Sequence, residues 1–244
     1  MKKIALISYG ILLLALIAAP FLGFYPVFVM KVMCFALFAC AFNLLLGYTG
    51  LLSFGHAAFL GGSAYVTGHV LKVWGLTPEL GLIVGTLFGA GLGLVFGWLA
   101  IRRQGIYFSM ITLALAQMIY FVALQAKFTG GEDGLQAVPR GHLFGLIDLK
   151  SDLTMYYVAL AIVVAAFLVI ARTVHSPFGQ VLKGIKENEP RAISLGYDVN
   201  RFKLLAFVIS AALSGLAGSL KTLVLGFASL SDVHWTASGQ VILM

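Results

Sequence analysis

The segment RTVHSPFGQVLKGIKENEPRAISLGYDVNRFK, residues 172–203, interrupts an otherwise strongly apolar chain and is called the elbow below. It holds six of the sixteen Lys and Arg residues of the protein. The Ser-Pro pair at 176–177 is a typical helix start, and Gly196 is a typical helix stop. The pattern predicts two short helices, Pro177 to Glu187 and Pro190 to Leu195, that form a polar, structured surface between two apolar segments.

The composition identifies an integral membrane protein. Of the 244 residues, 61% are hydrophobic and 10% are charged, and the mean hydropathy is +1.01. Such a chain cannot cover its apolar surface with polar side chains as a soluble domain must. Since an apolar helix of about 20 residues spans a bilayer, the sequence predicts one all-α domain over residues 1–244. That domain is a polytopic transmembrane bundle of about seven spans, with the elbow as a cytoplasmic helical loop within it.

Apolar runs and helix breakers place the seven spans. They are Ile4 to Ala19, Val27 to Leu46, Leu51 to Leu71, Leu80 to Ile101, Ile106 to Gln125, Thr154 to Ala171 and Leu204 to Phe227. The start, residues 1–20, is similar to a signal peptide, but further spans follow at once and favour a retained first helix. The loop between the fifth and sixth spans, residues 126–153, is either a contact for an external partner or a plain connector.

The distribution of basic residues predicts a cytoplasmic N-terminus. Loops on the N-terminal side hold Lys2, Lys3, Arg102, Arg103 and the six basic residues of the elbow. Six basic residues fall on the other side: Lys31, Lys72, Lys127, Arg140, Lys150 and Lys221. This asymmetry is typical of the positive-inside rule. The net charge of +7 therefore indicates topology and contact with anionic membrane lipids, and no nucleic acid partner is expected.

Glycines recur every four residues along the fourth span and predict a helix contact. They are Gly81, Gly85, Gly89, Gly93 and Gly97. This spacing forms a ridge of small residues on one helix face. Because lipid supplies no hydrophobic drive between helices, such ridges let backbones approach closely and hold bundles together. We expect these glycines to pack against another helix.

The third span carries a polar face. Ser53, His56, Ser63 and Thr67 fall within about an 80° arc of a helical wheel. Such a face is typical of a wall beside an aqueous path or of a close helix contact, and His56 is also explained by a hydrogen bond to a neighbouring helix. Asn43 and Thr112, on other spans, are weaker candidates for the same path.

The sequence holds no sign of a catalytic centre. All nine acidic residues fall in predicted loops or at span edges, which argues against a proton-coupled carrier. The sequence contains no Walker A pattern, no HExxH and no metal-spaced Cys or His cluster. We therefore expect neither an enzyme nor a bound cofactor or metal in this chain. Any energy source for transport must lie in another subunit.

Two blocks of sequence resemble the LivM family, the permeases of bacterial branched-chain amino acid ABC importers. They are FNLLLGYTGLLSFGHAAFLGGSAY, Phe42 to Tyr65, and SPFGQVLKGIKENEPRAISLGYDVNRFKLLAFVISAALSGLAG, Ser176 to Gly218. The resemblance implies an inner-membrane protein that works by alternating access. It also implies a LivH-like permease partner, two cytoplasmic ATPase subunits that use ATP and Mg²⁺, and an external amino-acid-binding protein. Residues that match the family's ATPase-coupling loop are Gly184, Glu187, Asn188, Ala192 and Gly196.

Other interpretations of substrate and class stay open from the sequence. Close relatives in the resembled family also move urea or short amides. A passive channel would account for the polar face of the third span, and a scaffold protein would account for the glycine ridge. Family members continue past Met244 and tend to carry Glu where this chain has Gln240. The apolar run Val241 to Met244 therefore predicts the start of a further span, in a fragment or in a truncated form.

Overall fold

The computed structural model describes residues 2–103, 105–143, 145 and 147–242. Within these residues the chain forms α1 (Lys2–Ala18), α2 (Pro26–Thr49), α3 (His56–Lys72), α4 (Pro78–Ala100), α5 (Ile106–Gln125), α6 (Asp152–His175), α7 (Pro177–Glu187), α8 (Glu189–Ser194), α9 (Val199–Leu225) and α10 (Trp235–Ile242). Short 3₁₀ helices cover Lys127–Thr129, Gly131–Asp133 and Leu230–Asp232. Strands β1 (His142–Leu143) and β2 (Ile147–Asp148) pair as an antiparallel hairpin with His142 opposite Asp148.

The all-α membrane bundle is confirmed. Each of the seven predicted spans coincides with a helix, α1 to α6 and α9. Within the described residues, five helices are long and apolar enough to cross a membrane, namely α2, α4, α5, α6 and α9. The other two, α1 and α3, have 17 residues each. The protein is therefore a multi-pass membrane protein.

Helix α9 is the centre of the bundle. It packs against α2, α3 and α4, while α6 packs on α2 and α5 on the α3–α4 side. Nearly every residue of α3 is buried. By contrast, α5 carries an exposed apolar face that includes Met110, Met118 and Phe121. The bundle thus has two core helices, α3 and α9, surrounded by helices whose outer faces are apolar, as contact with lipid requires.

The predicted glycine ridge of α4 lies at its contact with α9 and α3. At the centre, a Cβ on Gly89 would lie 3.0 Å from the Gly215 Cα of α9 and 2.9 Å from the Ser63 hydroxyl of α3. A Cβ on Gly97 would lie 2.6 Å from Leu204. All five glycines of the ridge are buried. The backbones of α4 and α9 therefore meet at a distance that no larger residue at position 89 would allow without movement.

The remaining ridge glycines make the same kind of contact along the helix. A Cβ on Gly85 would meet the hydroxyls of Ser219 and Thr67, and a Cβ on Gly93 would meet Ala211. A Cβ on Gly81 would lie 3.2 Å from the Leu71 side chain of α3. The ridge therefore accommodates α3 along its first half, from Gly81 to Gly89, and α9 from Gly85 to Gly97.

Helix α3 begins five residues later than the sequence predicts. Gly50 ends α2 in the left-handed conformation, with φ of 72°, and residues 50–55 then run without helix. Two hydroxyls of α5 bond this segment: Ser109 donates to the Leu52 carbonyl, and Thr112 accepts from the Phe54 amide. Because side chains satisfy these backbone groups, the segment needs no helical hydrogen bonds.

The interrupted segment descends deep into the bundle. His56, the first residue of α3, is hydrogen-bonded to Ser210, which in turn donates to the Ala41 carbonyl of α2. Ala41 precedes the end of α2 by eight residues, or about 12 Å of helix. Non-helical backbone at such depth is tolerated where protein surrounds it, and residues 50–55 are mostly buried.

Helix α10 also differs from the prediction, because it begins at Trp235 rather than near Val241. One of its polar residues faces the protein interior: Ser238 is fully buried and accepts a hydrogen bond of 2.7 Å from the Ala57 amide in the first turn of α3. Residues 235–240, which precede the predicted apolar run, are therefore helical. Leu243 and Met244, the end of the predicted apolar run, lie outside the described residues.

The segment between α5 and α6 folds onto the end of the bundle opposite the elbow, which we call the far end. Leu135 pairs with Ala228 as an antiparallel bridge, and Leu135, Val138 and Leu149 are buried. Arg140 donates to the Val224 carbonyl at the end of α9 and pairs with Asp152. This segment therefore holds the chain just after α9 in place.

We expect Gly89→Ala to destabilise the protein, because its Cβ would overlap the α9 backbone. Overpacking of this kind costs about 1–3 kcal/mol. Gly91→Ala is the matched control, since a Cβ at this exposed glycine of the same helix would meet nothing within 4 Å. Thermal unfolding of the two variants in detergent measures the difference. Equal stability of both variants would contradict the close crossing.

Candidate functional site

The two helices of the elbow are capped by side chains that the sequence places there. Ser176 accepts from the Gly179 amide at the start of α7, with Pro177 in the first turn. Asn188 accepts from the Arg191 amide at 3.1 Å and starts α8. Gly196 follows α8 with φ of 86°, in the left-handed region that favours glycine. The elbow is therefore a chain of defined turns, not a flexible tether.

The elbow is fastened to the start of α9. The Lys203 ammonium pairs with the Glu189 carboxylate at 2.7 Å, and the two side chains are 4% and 21% exposed. Ile185, Ala192 and Val199 form a small buried apolar cluster that joins α7, α8 and α9. Movement of the elbow therefore has to move the start of α9 with it.

A second set of contacts joins the elbow to the end of α2. Lys186 donates to the Gly47 carbonyl at 2.8 Å, and the Lys183 ammonium lies 5.2 Å from the centre of the Tyr48 ring. These contacts lie directly before the interrupted segment 50–55. The elbow thus contacts both of the elements, α2 and α9, between which α3 is packed.

The structure places the five candidate coupling residues on this elbow in two different environments. Gly184, Glu187, Asn188 and Gly196 are exposed, and a Cβ on Gly184 would meet nothing within 4 Å. Ala192 is buried in the apolar cluster. Among the neighbouring residues, the apolar side chains of Ile193, Leu195 and Tyr197 are 58%, 68% and 43% exposed. The outer surface of the elbow thus combines apolar side chains with a free carboxylate.

The candidate path residues of α3 are buried inside the bundle. His56, Ser63 and Thr67 are fully buried. The rings of Phe42, Phe59 and Phe207 surround His56 at centroid distances of 5.0 to 5.9 Å. The His56 Nε2 atom lies 2.8 Å from the Ser210 hydroxyl. In this conformation His56 therefore joins α3 to α9 and α2.

The other candidate path residues are divided between core and surface. Thr67 donates to the Ser219 hydroxyl of α9 at 2.8 Å, whereas the buried Ser63 hydroxyl has no partner among the described residues. Ser53 precedes α3 and accepts from the Gly55 amide, so it is not part of the helical face predicted for it. Thr112 caps the same segment, and Asn43 is exposed on α2.

Sequence reasoning missed a buried ion pair at the far end. Lys221 of α9 pairs with Asp232 of the connection between α9 and α10, and their side chains are 7% and 8% exposed. The sequence places Lys221 within the seventh predicted span and on the side opposite the elbow, but predicts no partner for it; in the structure it lies one turn inside α9. A lysine within an apolar helical run is the sequence signal that would have found the pair.

Comparison with known proteins places this arrangement in a family. The model of the family described as branched-chain amino acid transport system / permease component matches residues 27–244. The chain belongs to this family. The match begins at α2. It includes the elbow, the interrupted segment 50–55, the connection 226–234 between α9 and α10, and the buried ion pair, so these features of the permease lie within the region that the family shares.

Several curated permeases are similar to this one. The high-affinity branched-chain amino acid transport system permease protein LivM of Escherichia coli (strain K12) is 30% identical over 233 residues, 86% of this chain and 55% of the relative. The tyrosine transport system permease protein of Clostridioides difficile (strain R20291) is 28% identical over 160 residues, 66% of this chain and 50% of the relative. A probable LivH permease protein of Methanocaldococcus jannaschii is 27% identical over 168 residues, 64% of this chain and 52% of the relative.

This permease chain spans about half the length of the curated relatives that it matches. No solved structure matches it. Within the described residues, no group of three or more His, Cys, Asp or Glu side chains is placed to hold a metal ion.

We expect His56→Ala to lower stability strongly, because it empties a space lined by three phenylalanines and removes the bond to Ser210. Truncation of a large buried side chain costs about 2–5 kcal/mol. Asn43→Ala, at an exposed position, should leave thermal unfolding within about 0.5 kcal/mol of wild type. Unfolding in detergent and the amount of assembled complex are the measurements. A stable His56→Ala protein with reduced transport per complex would instead assign His56 to the substrate path.

Proposed function

We propose that this chain is a permease subunit of an ATP-driven importer that carries branched-chain amino acids across the cytoplasmic membrane of a bacterium. The proposal rests on the elbow, a rigid and partly apolar surface joined to the two helices that enclose α3. In this proposal the N-terminus of the protein lies in the cytoplasm, so that the elbow with its six basic residues faces the cytoplasmic side. The relatives named as branched-chain amino acid permeases support this substrate class.

The elbow supplies the surface that an ATPase subunit requires. Exposed Ile193 and Leu195 would fill an apolar groove on the partner, and Glu187 would contact a basic residue at its rim. Because the Lys203–Glu189 pair and the buried cluster fix the elbow to α9, a push on it moves α9 as a unit. Ala192 acts here as a positioning residue within the cluster.

The translocation path lies between this subunit and a second, LivH-like permease. The core of this chain is sealed in the present conformation, since five of the six candidate path residues are fully buried, or nearly so. Asn43 is exposed on a face of α2 that also carries Ala36. An exposed amide on a membrane-length helix is costly against lipid. It fits a face turned to the partner subunit or to the path.

The remaining parts of the importer are two ATPase subunits, which bind ATP and Mg²⁺, and an external amino-acid-binding protein. In the proposed cycle, ATP binding closes the ATPases and the elbows of the two permeases move. The interface then opens outward to receive the substrate, and hydrolysis resets it. Weakly polar, small-residue walls suit a zwitterion with an apolar side chain, because tight binding would slow its release.

Uptake by the reconstituted importer tests this function. The native complex of this chain in proteoliposomes, supplied with its binding protein, should accumulate leucine when ATP is enclosed with the ATPases. Isoleucine and valine should compete, and urea and acetamide should not. Equal leucine flux with and without ATP would favour a passive channel, and transport of urea alone would overturn the substrate class.

We expect Gly184→Leu and Glu187→Lys each to separate ATP hydrolysis from uptake while the protein stays folded. Both positions are exposed, so the substitutions change the outer surface of the elbow and not its core. Loss of a central interface contact costs about 2 kcal/mol, roughly 30-fold in docking affinity.

The matched control is Gly91→Leu, at a glycine of α4 that is equally free of contacts but lies far from the elbow in the sequence. It should leave substrate-stimulated hydrolysis and uptake near wild type. Wild-type coupling in both elbow variants would remove the docking role from this surface.

A further inference from the structure

The pair Lys221–Asp232 joins the far end of α9 to the connection that leads into α10. One carboxylate oxygen of Asp232 accepts from the Lys221 ammonium. The other accepts from the amide and the hydroxyl of Ser229, at 3.4 and 2.9 Å. Asp232 is therefore held in place by Ser229 independently of its bond to Lys221.

Stability alone does not account for this pair. Removing two charges from water costs several kcal/mol, and apolar residues of the same volume are often as stable or more stable. The neighbouring connection between α9 and α10 is already fastened by the bridge from Leu135 to Ala228 and by the bond from the Ala57 amide to Ser238. An ionisable pair at such a place points to a functional site.

The surroundings of the pair contain unused binding capacity. The Tyr65 hydroxyl of α3 is buried without a hydrogen-bond partner among the described residues, and α3 packs against the 3₁₀ helix Leu230–Asp232. The Phe35 ring of α2 lies 5.2 Å from the Lys221 ammonium. One positive group, one negative group, an aromatic ring and a hydroxyl without a partner in the described part of the chain therefore lie in the same region of the far end.

We propose that Lys221 and Asp232 form a binding subsite for the zwitterionic backbone of an amino acid at the far end of the permease. In the present conformation the two side chains neutralise each other, and the empty subsite carries no net charge. When the subunit opens, Lys221 binds the substrate carboxylate and Asp232, still held by Ser229, binds its ammonium group. The Tyr65 hydroxyl donates to the substrate carboxylate, and the Phe35 ring faces the apolar side chain.

The subsite is placed to receive a substrate from outside. Lys221 lies one turn before the end of α9, and Ser231, next to Asp232, is exposed. Apart from the 3₁₀ helix Leu230–Asp232, the connection 226–234 is non-helical, so opening it breaks fewer backbone hydrogen bonds than opening an intact helix would. When the substrate binds, the internal ion pair is replaced by two ion pairs with the substrate, so every charge keeps a partner. Because the internal pair has to be broken first, the net gain is small and binding stays weak enough for release.

This inference rests on the proposed function, and binding of labelled leucine to the whole importer tests it. The complex is trapped with ATP and vanadate without its binding protein, so that the permease alone supplies the site. Lys221→Met with Asp232→Asn removes both charges and leaves none unpaired. It should weaken leucine binding by about tenfold or more, the effect of losing charge-assisted hydrogen bonds.

Asp152→Asn is the control, because it removes one charge of a less buried ion pair at the same end of the bundle and leaves the bond from Arg140 to the Val224 carbonyl intact. It should bind leucine within about twofold of wild type, as surface pairs contribute little. Tyr65→Phe is the second test: it deletes an unpartnered hydroxyl, so thermal stability should hold or rise. Leucine binding should nevertheless weaken by several-fold.

Wild-type leucine binding by an assembled Lys221→Met/Asp232→Asn complex would overturn the subsite. The pair would then have only the structural role of joining α9 to the connection that follows it. If that variant does not assemble, unchanged binding by Tyr65→Phe overturns it instead. Failure of the proposed function looks different, because the wild-type importer itself would then show no ATP-driven leucine uptake.

Discussion

The close crossing of α4 and α9 is the constraint on which the rest of the structure depends. At Gly89 and Gly215 the two backbones approach so closely that a Cβ added to Gly89 would lie 3.0 Å from the Cα of Gly215 on α9. In lipid, such packing replaces the hydrophobic effect as the force that joins helices. Because α9 is held here by small residues, α3 can lie against both helices with almost every side chain buried.

Two breaks in the helical pattern follow from this arrangement. Residues 50–55 leave α2 and enter the bundle before α3 begins, and residues 226–234 lead from α9 into α10. Side chains stabilise both breaks: Ser109 and Thr112 of α5 bond the first, and Lys221 of α9 together with Ser229 of the connection itself bonds Asp232 in the second.

Helix α9 links the two ends of the protein. At its start Lys203 pairs with Glu189 of the elbow, and four residues before its end Lys221 pairs with Asp232. Its 27 residues correspond to about 40 Å of helix, more than the hydrocarbon thickness of a bilayer. A rigid helix tied by an ion pair near each end connects the proposed ATPase surface with the proposed substrate subsite without any flexible element between them.

The sequence by itself determined the helices, because their signals are local. Apolar length predicted the membrane bundle, and Ser176 and Gly196 marked the limits of the two helices of the elbow. The spacing of Gly81 to Gly97 marked the packing face of α4. Only the tertiary structure decided which polar residues are sealed and which are exposed. The non-helical course of Ser53, the helical course of 235–240 and the pairing of Lys221 with Asp232 depend on hydrogen bonds between residues far apart in the chain. No local pattern encodes such partners, since each becomes available only when the bundle has packed.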